Sequence, residues 1–328
     1  MINRISIKNN KILVVYNTCG IKRDNPDWYI KCINSLLNQD FQDYKVVLSS
    51  CLNRPECFKK IYETFGNKIS YCYHAEPHTV NITFNKTVQE CVNHFGEFES
   101  YLYVDSGCIL GDSRNSLRDI YDSYKLNSYG ILSIQTDTDT CFQDLGLNLK
   151  NNSDVPQIVN EDYILPLGKA INLHFFLFDG EIYKRYNKVL PDVFAAYCSE
   201  SVLGFICASV NKNWAIMKDL QIKHHKSIDG ATLCVPHHSP VYRNHWNNLL
   251  YGRNAINFIN DPEAIESGLG YEECNNIMMH DSTKYDENGN PKDPENLIRM
   301  IDKYFFLSKE ELDYDKIKTK FVSNQKEI

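Results

Sequence analysis

The sequence predicts an α/β fold in which a mainly parallel central sheet is flanked by helices. Short apolar runs rich in β-branched residues alternate with longer stretches of helical periodicity, which is typical of repeated strand–helix–strand units. The first of these runs is continuously apolar, as expected of a strand that is buried on both faces. The chain has 328 residues, 43% of them hydrophobic, so it can cover both faces of such a sheet.

The first half of the chain alternates strands and helices with regular spacing. Residues 11–18 (KILVVYNT) form the first apolar run, and apolar residues follow at helical spacing from Trp28 to Leu37. Pro26 and Pro55 stand near the starts of two predicted helices, where the fixed φ of proline is tolerated. The predicted order is strand 11–18, helix 25–39, strand 44–50, helix 54–66, strand 68–74, helix 81–96 and strand 101–107.

The second half is less regular. Residues 141–165 are polar and predict a loop, and residues 281–296 predict another. Residues 214–225 predict a strand that ends in two histidines. The other predicted elements are a helix at 116–126, a strand at 129–136, an amphipathic helix at 199–213 and one or two terminal helices at 297–321.

Composition and charge exclude several classes of protein. The formal net charge is -7 and no block rich in Lys and Arg occurs, which argues against a nucleic-acid groove. Twelve cysteines are irregularly spaced, without a C-x-x-C pair, and many lie inside apolar runs. This usage favours buried, reduced thiols over a disulfide framework or a zinc cluster, and a reducing compartment such as the cytoplasm.

The apolar segments indicate a soluble protein. Residues 1–17 lack the long apolar core of a signal peptide. The longest apolar stretches, VLGFICASV and LHFFLF, are too short to span a bilayer. We therefore expect no transmembrane segment, and docking on a membrane face stays open.

The strand YLYVDSG ends abruptly in one acid, Asp105, followed by Ser106 and Gly107. An unpaired buried carboxylate costs several kcal/mol, so this one needs a partner. Ligands of α/β sheets bind beyond the carboxyl ends of the strands. Asp-Ser-Gly is also ordinary turn chemistry, so a plain turn is the alternative. The residues expected on the binding rim are Asn17, Thr18, Ser49, Ser50 and Asp105.

Four stretches occur in an order that resembles a known family: INSLLNQDFQDYKVVLSS, TVNITFNKTVQECV, YLYVDSG and SESVLGFICASV. Over roughly residues 11–230 the chain resembles GT-A (nucleotide-diphospho-sugar transferase-like) glycosyltransferases, nearest to the inverting family 2. The resemblance implies transfer of a hexose from a UDP- or GDP-linked donor to a hydroxyl of a glycan or another acceptor. We accordingly expect a GT-A domain at 1–260, with a nucleotide-binding half at 1–110 and an acceptor half at 111–260, and a C-terminal loop and helical extension at 261–328.

The resemblance also implies roles for single residues. Asp105 and Ser106 occupy the place of the Asp-x-Asp motif of the family, and Asn85 occupies the place of a helix residue that faces the donor. Asn17, Thr18, Ser49 and Ser50 offer small polar groups for a base and a ribose. Two departures stand out, because Gly107 replaces the second acid and Ser49-Ser50-Cys51 replaces the acids that end the second strand.

A divalent cation, Mn or Mg, would offset the charge of the leaving diphosphate. Asp105 is the only carboxylate of its motif, so His224 or His225 would supply a second ligand, as the resemblance implies. Side chains alternate along a strand, so one of the two histidines at most faces the metal. Imidazole fits Mn better than Mg. Asp229 is a further candidate ligand.

Inverting transfer needs a base that takes the proton of the acceptor hydroxyl. Glu200 occupies the place of the catalytic acid of the family, just before a predicted helix. Stabilisation of the helix N-terminus is the alternative role for this carboxylate, and Ser199 or Ser201 could cap the same helix. Asp192 and Asp179 are the next candidates for the base.

Three rival interpretations remain open. A sugar nucleotidyltransferase would carry a Gly-rich basic loop after the first strand, but YNTCGIKRDN has one glycine. A GT-A domain that binds a glycan without turnover is favoured by the loss of the acid at Gly107. Zinc in the His-rich segment 224–245 is disfavoured by its His-His pairs. In and after that segment, Lys226, Arg243 and Arg253 could meet a diphosphate.

Overall fold

The structure is a computed structural model that describes residues 11–19, 24–76, 78–111, 113–136, 157–159, 162–165, 174–192, 199–224, 269–272, 277–280 and 291–323. Its helices are α1 (Pro26–Leu37), α2 (Pro55–Phe65), α3 (Val80–Phe95), α4 (Ser116–Asn127), α5 (Gly180–Tyr186), α6 (Ser199–Ser209) and α7 (Pro294–Phe305). Short 3-10 helices occupy Gly66–Lys68 and Tyr314–Lys316.

The described strands form two sheets. The strands are β1 (Ile12–Cys19), β2 (Tyr44–Cys51), β3 (Ser70–His74), β4 (Ser100–Val104), β5 (Cys108–Ile109), β6 (Ile131–Thr136), β7 (Gln157–Val159), β8 (Asp162–Ile164), β9 (Phe175–Asp179), β10 (Trp214–His224), β11 (Leu269–Glu272), β12 (Ile277–His280) and β13 (Thr319–Val322). Within these residues an 11-stranded sheet has the order β13-β3-β2-β1-β4-β9-β6-β10-β8-β7, with β5 paired to β10, and β11 pairs with β12.

The first half confirms the predicted alternation of strands and helices. β3, β2, β1 and β4 are parallel neighbours, so their carboxyl ends meet at one rim. Local sequence fixes the helix starts: the side chain of Asn25 accepts a hydrogen bond from Trp28 N–H before α1, and Thr79 caps α3 in the same way. The α/β fold class with a central sheet flanked by helices is confirmed.

Two separate cores cover the two faces of the sheet. Leu13 and Val15 of β1 belong to the core that contains α3, α5, α6 and α7. Val14 and Tyr16 of the same strand belong to the core that contains α1, α2 and α4. Alternate side chains of a continuous apolar strand thus fill opposite layers, which explains why its sequence shows no polar alternation.

The second half departs from the prediction in two places. The predicted loop at 141–165 contains β7 and β8, which pair with each other and join the sheet through β10. The predicted amphipathic helix at 199–213 ends at Ser209, and its described side chains from Val202 to Ala208 are all buried. A short helix that is apolar all round is covered by protein on every side.

An antiparallel strand interrupts the parallel order. β9 lies between β4 and β6 and runs antiparallel to both. Its amino end therefore lies at the rim where the parallel strands end, and Phe175 pairs with Val104 there. This reversal decides which residues meet Asp105.

The C-terminal segment is less helical than predicted. Helix α7 ends at Phe305, a turn of 3-10 helix follows, and the chain then forms β13 instead of a second helix. β13 pairs antiparallel with β3, with Thr319 opposite His74. The predicted extension thus adds an edge strand to the main sheet, and the division of the chain into domains stays a prediction.

The predictions about membrane-spanning segments and about the cysteines can be compared with the described residues. None of the described helices has both the length and the apolar character needed to cross a bilayer. Seven described cysteines are buried and take part in no disulfide among the described residues, and they are Cys32, Cys51, Cys57, Cys72, Cys91, Cys108 and Cys207.

A close backbone approach at Gly180 yields the first testable prediction. A β-carbon at Gly180 would lie 2.8 Å from the carbonyl oxygens of both Glu99 and Phe98, so Gly180→Ala should destabilise the fold by about 1–3 kcal/mol. Gly111→Ala is the matched control, because no heavy atom of the described part lies within 4 Å of its β-carbon. Urea unfolding measures both, and equal stabilities would contradict the close approach.

A buried polar cluster at the end of β3 joins four elements. The Nε2 atom of His74 lies 3.0 Å from the Thr87 hydroxyl and 3.4 Å from the Ser49 hydroxyl. The Nδ1 atom lies 3.4 Å from the Thr319 hydroxyl, and Thr87 donates to Ser49 at 3.0 Å. The imidazole thus links β2, β3, α3 and β13 without contact to water.

This burial predicts a pH dependence of stability. Burial, with smaller contributions from His78 and Lys86, lowers the pKa of His74 to about 3. In the unfolded chain the imidazole of His74 takes up a proton below pH ~6.5, whereas in the folded chain it stays neutral until about pH 3. The contribution of His74 to the free energy of unfolding is therefore fully present above pH ~6.5. Below this pH the free energy of unfolding decreases by up to about 1.4 kcal/mol per pH unit. Urea unfolding between pH 6.5 and 4.5 should show a steeper loss for the wild type than for His74→Gln, and parallel curves would refute the assignment.

Candidate functional site

The site is built on the turn that follows β4. The N–H of Asp105 donates to the carbonyl of His174 at 2.8 Å, and the N–H of Cys108 donates to the carbonyl of Asp105 at 3.0 Å. The Oδ1 atom of Asp105 accepts from the N–H of Ser106 at 2.7 Å. The Oδ1 atom of Asp105 therefore stabilises the turn, as the alternative interpretation of a plain turn predicts, whereas the Oδ2 atom makes no hydrogen bond within the turn.

The carbonyl of Ser106 holds the same turn from the other side. It accepts hydrogen bonds from the Tyr16 hydroxyl at 2.8 Å and from the Trp28 indole at 3.0 Å, and the Cys32 thiol lies 3.7 Å away. Burial raises the pKa of Cys32 to about 12 and raises that of Tyr16 as well, so both groups keep the protons that they donate. Three side chains thus fix one carbonyl, and the carboxylate beside it has little freedom to move.

Two histidines face the second oxygen of Asp105. The Nδ1 atom of His174 lies 3.5 Å from Oδ2, and the Nε2 atom of His224 lies 3.9 Å from it. The two rings lie 4.1 Å apart between centroids, and one ligand atom from each of the three residues falls within a 4.8 Å cluster. Asp105 and His224 are buried and His174 is nearly so, which keeps the cluster away from bulk water.

Strand pairing explains how three distant residues meet. His174 precedes β9, whose amino end pairs with the carboxyl end of β4. His224 ends β10 and pairs with Cys108 of β5, directly after the Asp105 turn. The structure thus brings together the predicted Asp105 and His224, whereas His225 lies outside the described residues. Sequence reasoning missed His174, although it stands before the apolar run FFLFD, because only carboxyl ends of strands were considered.

Two further oxygens at the rim resemble Oδ2 of Asp105. Asn17 donates from Nδ2 to the carbonyls of Val15 and Val104, which places it between the ends of β1 and β4. Its Oδ1 atom, the Ser106 hydroxyl and Oδ2 of Asp105 are buried and have no hydrogen-bond partner within the described residues. Buried polar atoms rarely stay unpaired, so three oxygens of this kind on residues at one rim of the sheet indicate a place for a cation or a polar ligand.

Thr18 and Ser50 lie on the rim in a closed network. Both hydroxyls donate to the Oδ1 atom of Asn53, at 2.8 Å and 2.7 Å. Asn53 in turn donates to the Asp24 carboxylate at 2.6 Å, which also accepts from the N–H of Arg54. Asp24 and Asn53 were not predicted, and their signal lies only in the loops that follow β1 and β2.

Ser49 and Asn85, which are predicted to contact the nucleotide-sugar donor, form hydrogen bonds with other protein groups. Ser49 points to the opposite face of the sheet from Ser50 and bonds Thr87 in the His74 cluster. The Asn85 carboxamide accepts from the N–H groups of Val189 and Leu190 and donates to the Leu190 carbonyl and the Tyr314 hydroxyl. These bonds use the full hydrogen-bonding capacity of the carboxamide and anchor residues 189–190 before α6, and the contact of Asn85 with a donor stays a prediction.

The structure argues against the two alternative candidates for the base, Asp192 and Asp179. Asp192 is fully buried and accepts from Lys188, the N–H of Leu307 and the Tyr314 hydroxyl, and burial raises its pKa. A carboxylate so enclosed cannot reach an acceptor hydroxyl.

Asp179 lies at the wrong edge of the sheet. It ends the antiparallel strand β9 opposite Ser100, at the far edge from Asp105, where it caps α5 and bonds Tyr124 and Lys212. Glu200 lies in the first turn of α6, and its side chain lies outside the described residues. The other predicted residues outside them are His225, Lys226, Asp229, Arg243 and Arg253.

The arrangement suits a divalent cation. A carboxylate oxygen and two imidazole nitrogens are common protein ligands of such ions, and this set is held by backbone pairing on three strands. Asp105 and His224 are two residues of the predicted metal site, and His174 lies beside them as a third possible ligand. A cation here would lie at the rim beside Asn17, where the parallel strands end.

Comparison with solved structures identifies the fold. The chain is similar to the TarS 1-349 protein of S. aureus in complex with UDP-GlcNAc, with 16% identity and a TM-score of 0.50 over 78% of this chain and 69% of that chain. It is also similar to the mannosyltransferase PcManGT of Pyrobaculum calidifontis in complex with GDP-Man and Mn2+, with 12% identity and a TM-score of 0.49 over 76% of this chain. The chain spans 64% of the length of that mannosyltransferase, which is less than two thirds.

Sequence comparisons add no relative. No protein-family model matches the chain, and no curated protein matches it. The likeness to TarS, at 16% identity, shows that this chain has a GT-A glycosyltransferase fold.

Proposed function

We propose that the protein is a glycosyltransferase that moves a sugar from a nucleotide-sugar donor to a hydroxyl of a glycan or another acceptor. The fold supports a nucleotide-sugar donor, because the similar TarS structure holds UDP-GlcNAc. A UDP- or GDP-linked hexose and inversion at the anomeric carbon are the finer parts of the proposal. They come from the family resemblance of the sequence and from Glu200.

One observation carries the proposal. The Oδ2 atom of Asp105 is buried at the carboxyl rim of the sheet and has no hydrogen-bond partner within the described residues. The burial of such a charge is costly without a compensating group. A cation shared with the diphosphate of a donor would compensate it at the place where α/β sheets bind ligands.

The residues of the rim then have separate tasks. Asp105 and His224 would hold the cation, which when bound offsets the negative charge that develops on the leaving diphosphate. Asn17 and Ser106 present unpaired oxygens beside it that can meet donor hydroxyls or the hydration shell of the ion. Thr18 and Ser50, preorganised by Asn53, line the neighbouring end of β1 and β2, where a base or ribose would lie.

Glu200 is the proposed base. It stands at the start of α6, and the chain before α6 is anchored by Asn85 and Asp192 through Leu190 and Leu307. A carboxylate that accepts the acceptor proton must be held within hydrogen-bond reach of that hydroxyl. The described side chains of α6 from Val202 to Ala208 are buried in the core, which supports a fixed position for the helix that begins at Ser199.

A binding module without turnover is the second candidate. It is favoured by Gly107, which leaves Asp105 as the only acid of its motif. Such a module would bind nucleotide or glycan and leave the donor intact. Slow hydrolysis of a nucleotide-sugar with added Mn separates the candidates, because a working transferase is expected to show it.

Nucleotide binding gives a direct test of the Asp105 role. A thermal-shift panel of UDP, GDP, CMP and dTDP, each with and without Mn, should show a metal-dependent rise in melting temperature. At a hundred times its dissociation constant a ligand stabilises by about 2.7 kcal/mol. Asp105→Asn should abolish the metal-dependent part of the shift, while the exposed Asp27→Asn should keep it. A mutant that responds like the wild type would refute the metal role of Asp105.

Glu200→Gln tests the base. The variant should bind nucleotide as the wild type does and lose transfer by about 100-fold or more, because general bases contribute about 10²–10⁴ to rates. Glu63→Gln on the exposed face of α2 is the matched control. Turnover is measured as nucleoside diphosphate released with acceptor present. An active Glu200→Gln enzyme would exclude this residue as the base.

A further inference from the structure

The possible ligands at the candidate cation site differ from those of the Asp-x-Asp motif. Gly107 removes the second acid of the motif, yet the site still gathers a carboxylate and two imidazoles, and His174 immediately precedes β9, the neighbour of β4 on the side away from β1. We propose that Asp105, His174 and His224 form a transition-metal site that binds its cation without nucleotide, with His174 in place of the missing acid.

The spacing of the ligand atoms fits one ion. Metal–nitrogen and metal–oxygen bonds are about 2.0–2.2 Å, so adjacent ligand atoms lie roughly 3 Å apart and opposite ones roughly 4.2 Å. The two nitrogens lie 3.5 Å and 3.9 Å from Oδ2 of Asp105, and all three atoms lie within 4.8 Å of one another. A small inward shift of the side chains brings all three into contact with one cation.

The chemistry of the ligands selects the kind of ion. Mg²⁺ and Ca²⁺ take oxygen ligands, and Mg²⁺ keeps much of its water, whereas imidazole suits Zn²⁺, Ni²⁺ and Fe²⁺. Two of the three protein ligands here are imidazoles, and the site is buried. The order of affinity for such sites rises from Mn²⁺ through Co²⁺ and Ni²⁺, so Mn²⁺ is the weakest transition metal expected to bind.

The backbone arranges the ligands before any nucleotide arrives. The carbonyl of His174 accepts from the N–H of Asp105, His224 is paired with Cys108, and Tyr16 and Trp28 fix the turn between them. Three ligands held in this way bind an ion with little loss of conformational freedom, so a diphosphate is not needed to complete the site. The proposal relies on the glycosyltransferase function only for the use of the cation and not for its binding.

Cobalt provides the test. The full chain is stripped of metal with a chelator, titrated with Co²⁺ without nucleotide, and followed by the visible ligand-field absorption and by calorimetry. We expect one Co²⁺ bound with nitrogen-rich absorption, displaced by Zn²⁺ and not by a hundredfold excess of Mg²⁺. His174→Gln and His224→Gln should each weaken binding about 100-fold or more and change the spectrum. His94→Gln, in the last turn of α3, is the matched control and should behave as the wild type.

Each outcome decides the proposal. Co²⁺ binding that is unchanged in both His174→Gln and His224→Gln places the metal elsewhere and overturns it. Displacement by Mg²⁺, or no uptake without nucleotide by the folded wild type, overturns it too. If a variant fails to fold, the melting temperature of the proteins that do fold provides a second readout. Zn²⁺ alone should raise the melting temperature of the wild type and of His94→Gln.

The same experiments separate this proposal from the proposed function. If Co²⁺ binds as expected and none of the nucleotides shifts the melting temperature, the metal site stands and the glycosyltransferase function fails. If UDP or GDP binds and no metal binds alone, the function stands and this proposal fails.

Discussion

The antiparallel pairing of β9 with β4 is the constraint on which the site depends. Val104 lies opposite Phe175, and from this register the N–H of Asp105 meets the carbonyl of His174. A shift of one residue would move every side chain of β9 to the opposite face and break up two cores. The core residues of β9 therefore hold the preceding His174 in place, since Phe175 and Phe176 are fully buried on opposite faces. Packing and chemistry are thus determined by the same few hydrogen bonds.

The regular half of the fold could be predicted from sequence because its signals are local. Continuous apolar runs, proline at helix starts and capping residues each depend on neighbours within a few positions, and β1 to β4 with α1 to α3 follow from them. The reversal at β9 leaves no local trace, because LHFFLFD is equally apolar in either direction. Residues 319–321 lie at the end of the stretch with a helical pattern, so the sequence predicts helix there, and the pairing partner of β13, β3, is far away in sequence.

The candidate site was predictable to the same extent. Asp105 could be found because a lone acid that ends an apolar strand is a local signal, and His224 because it ends a strand that was correctly predicted. His174 required knowledge of strand direction. The hydrogen bonds of Asn85 could not be predicted, because its partners, Val189 and Leu190, lie more than a hundred positions along the chain. Hydrogen bonds of this range are visible only after folding.

The edge strand β13 has a consequence for how the chain acquires its structure. Thr319 and His74 are neighbours across the sheet although they lie 245 positions apart. During synthesis, therefore, β3 emerges long before its outer partner, and its row of free N–H and C=O groups stays open to other strands. Nascent chains of this protein would need shielding at that edge until β13 docks, and a protein made without these residues would present a ready template for aggregation.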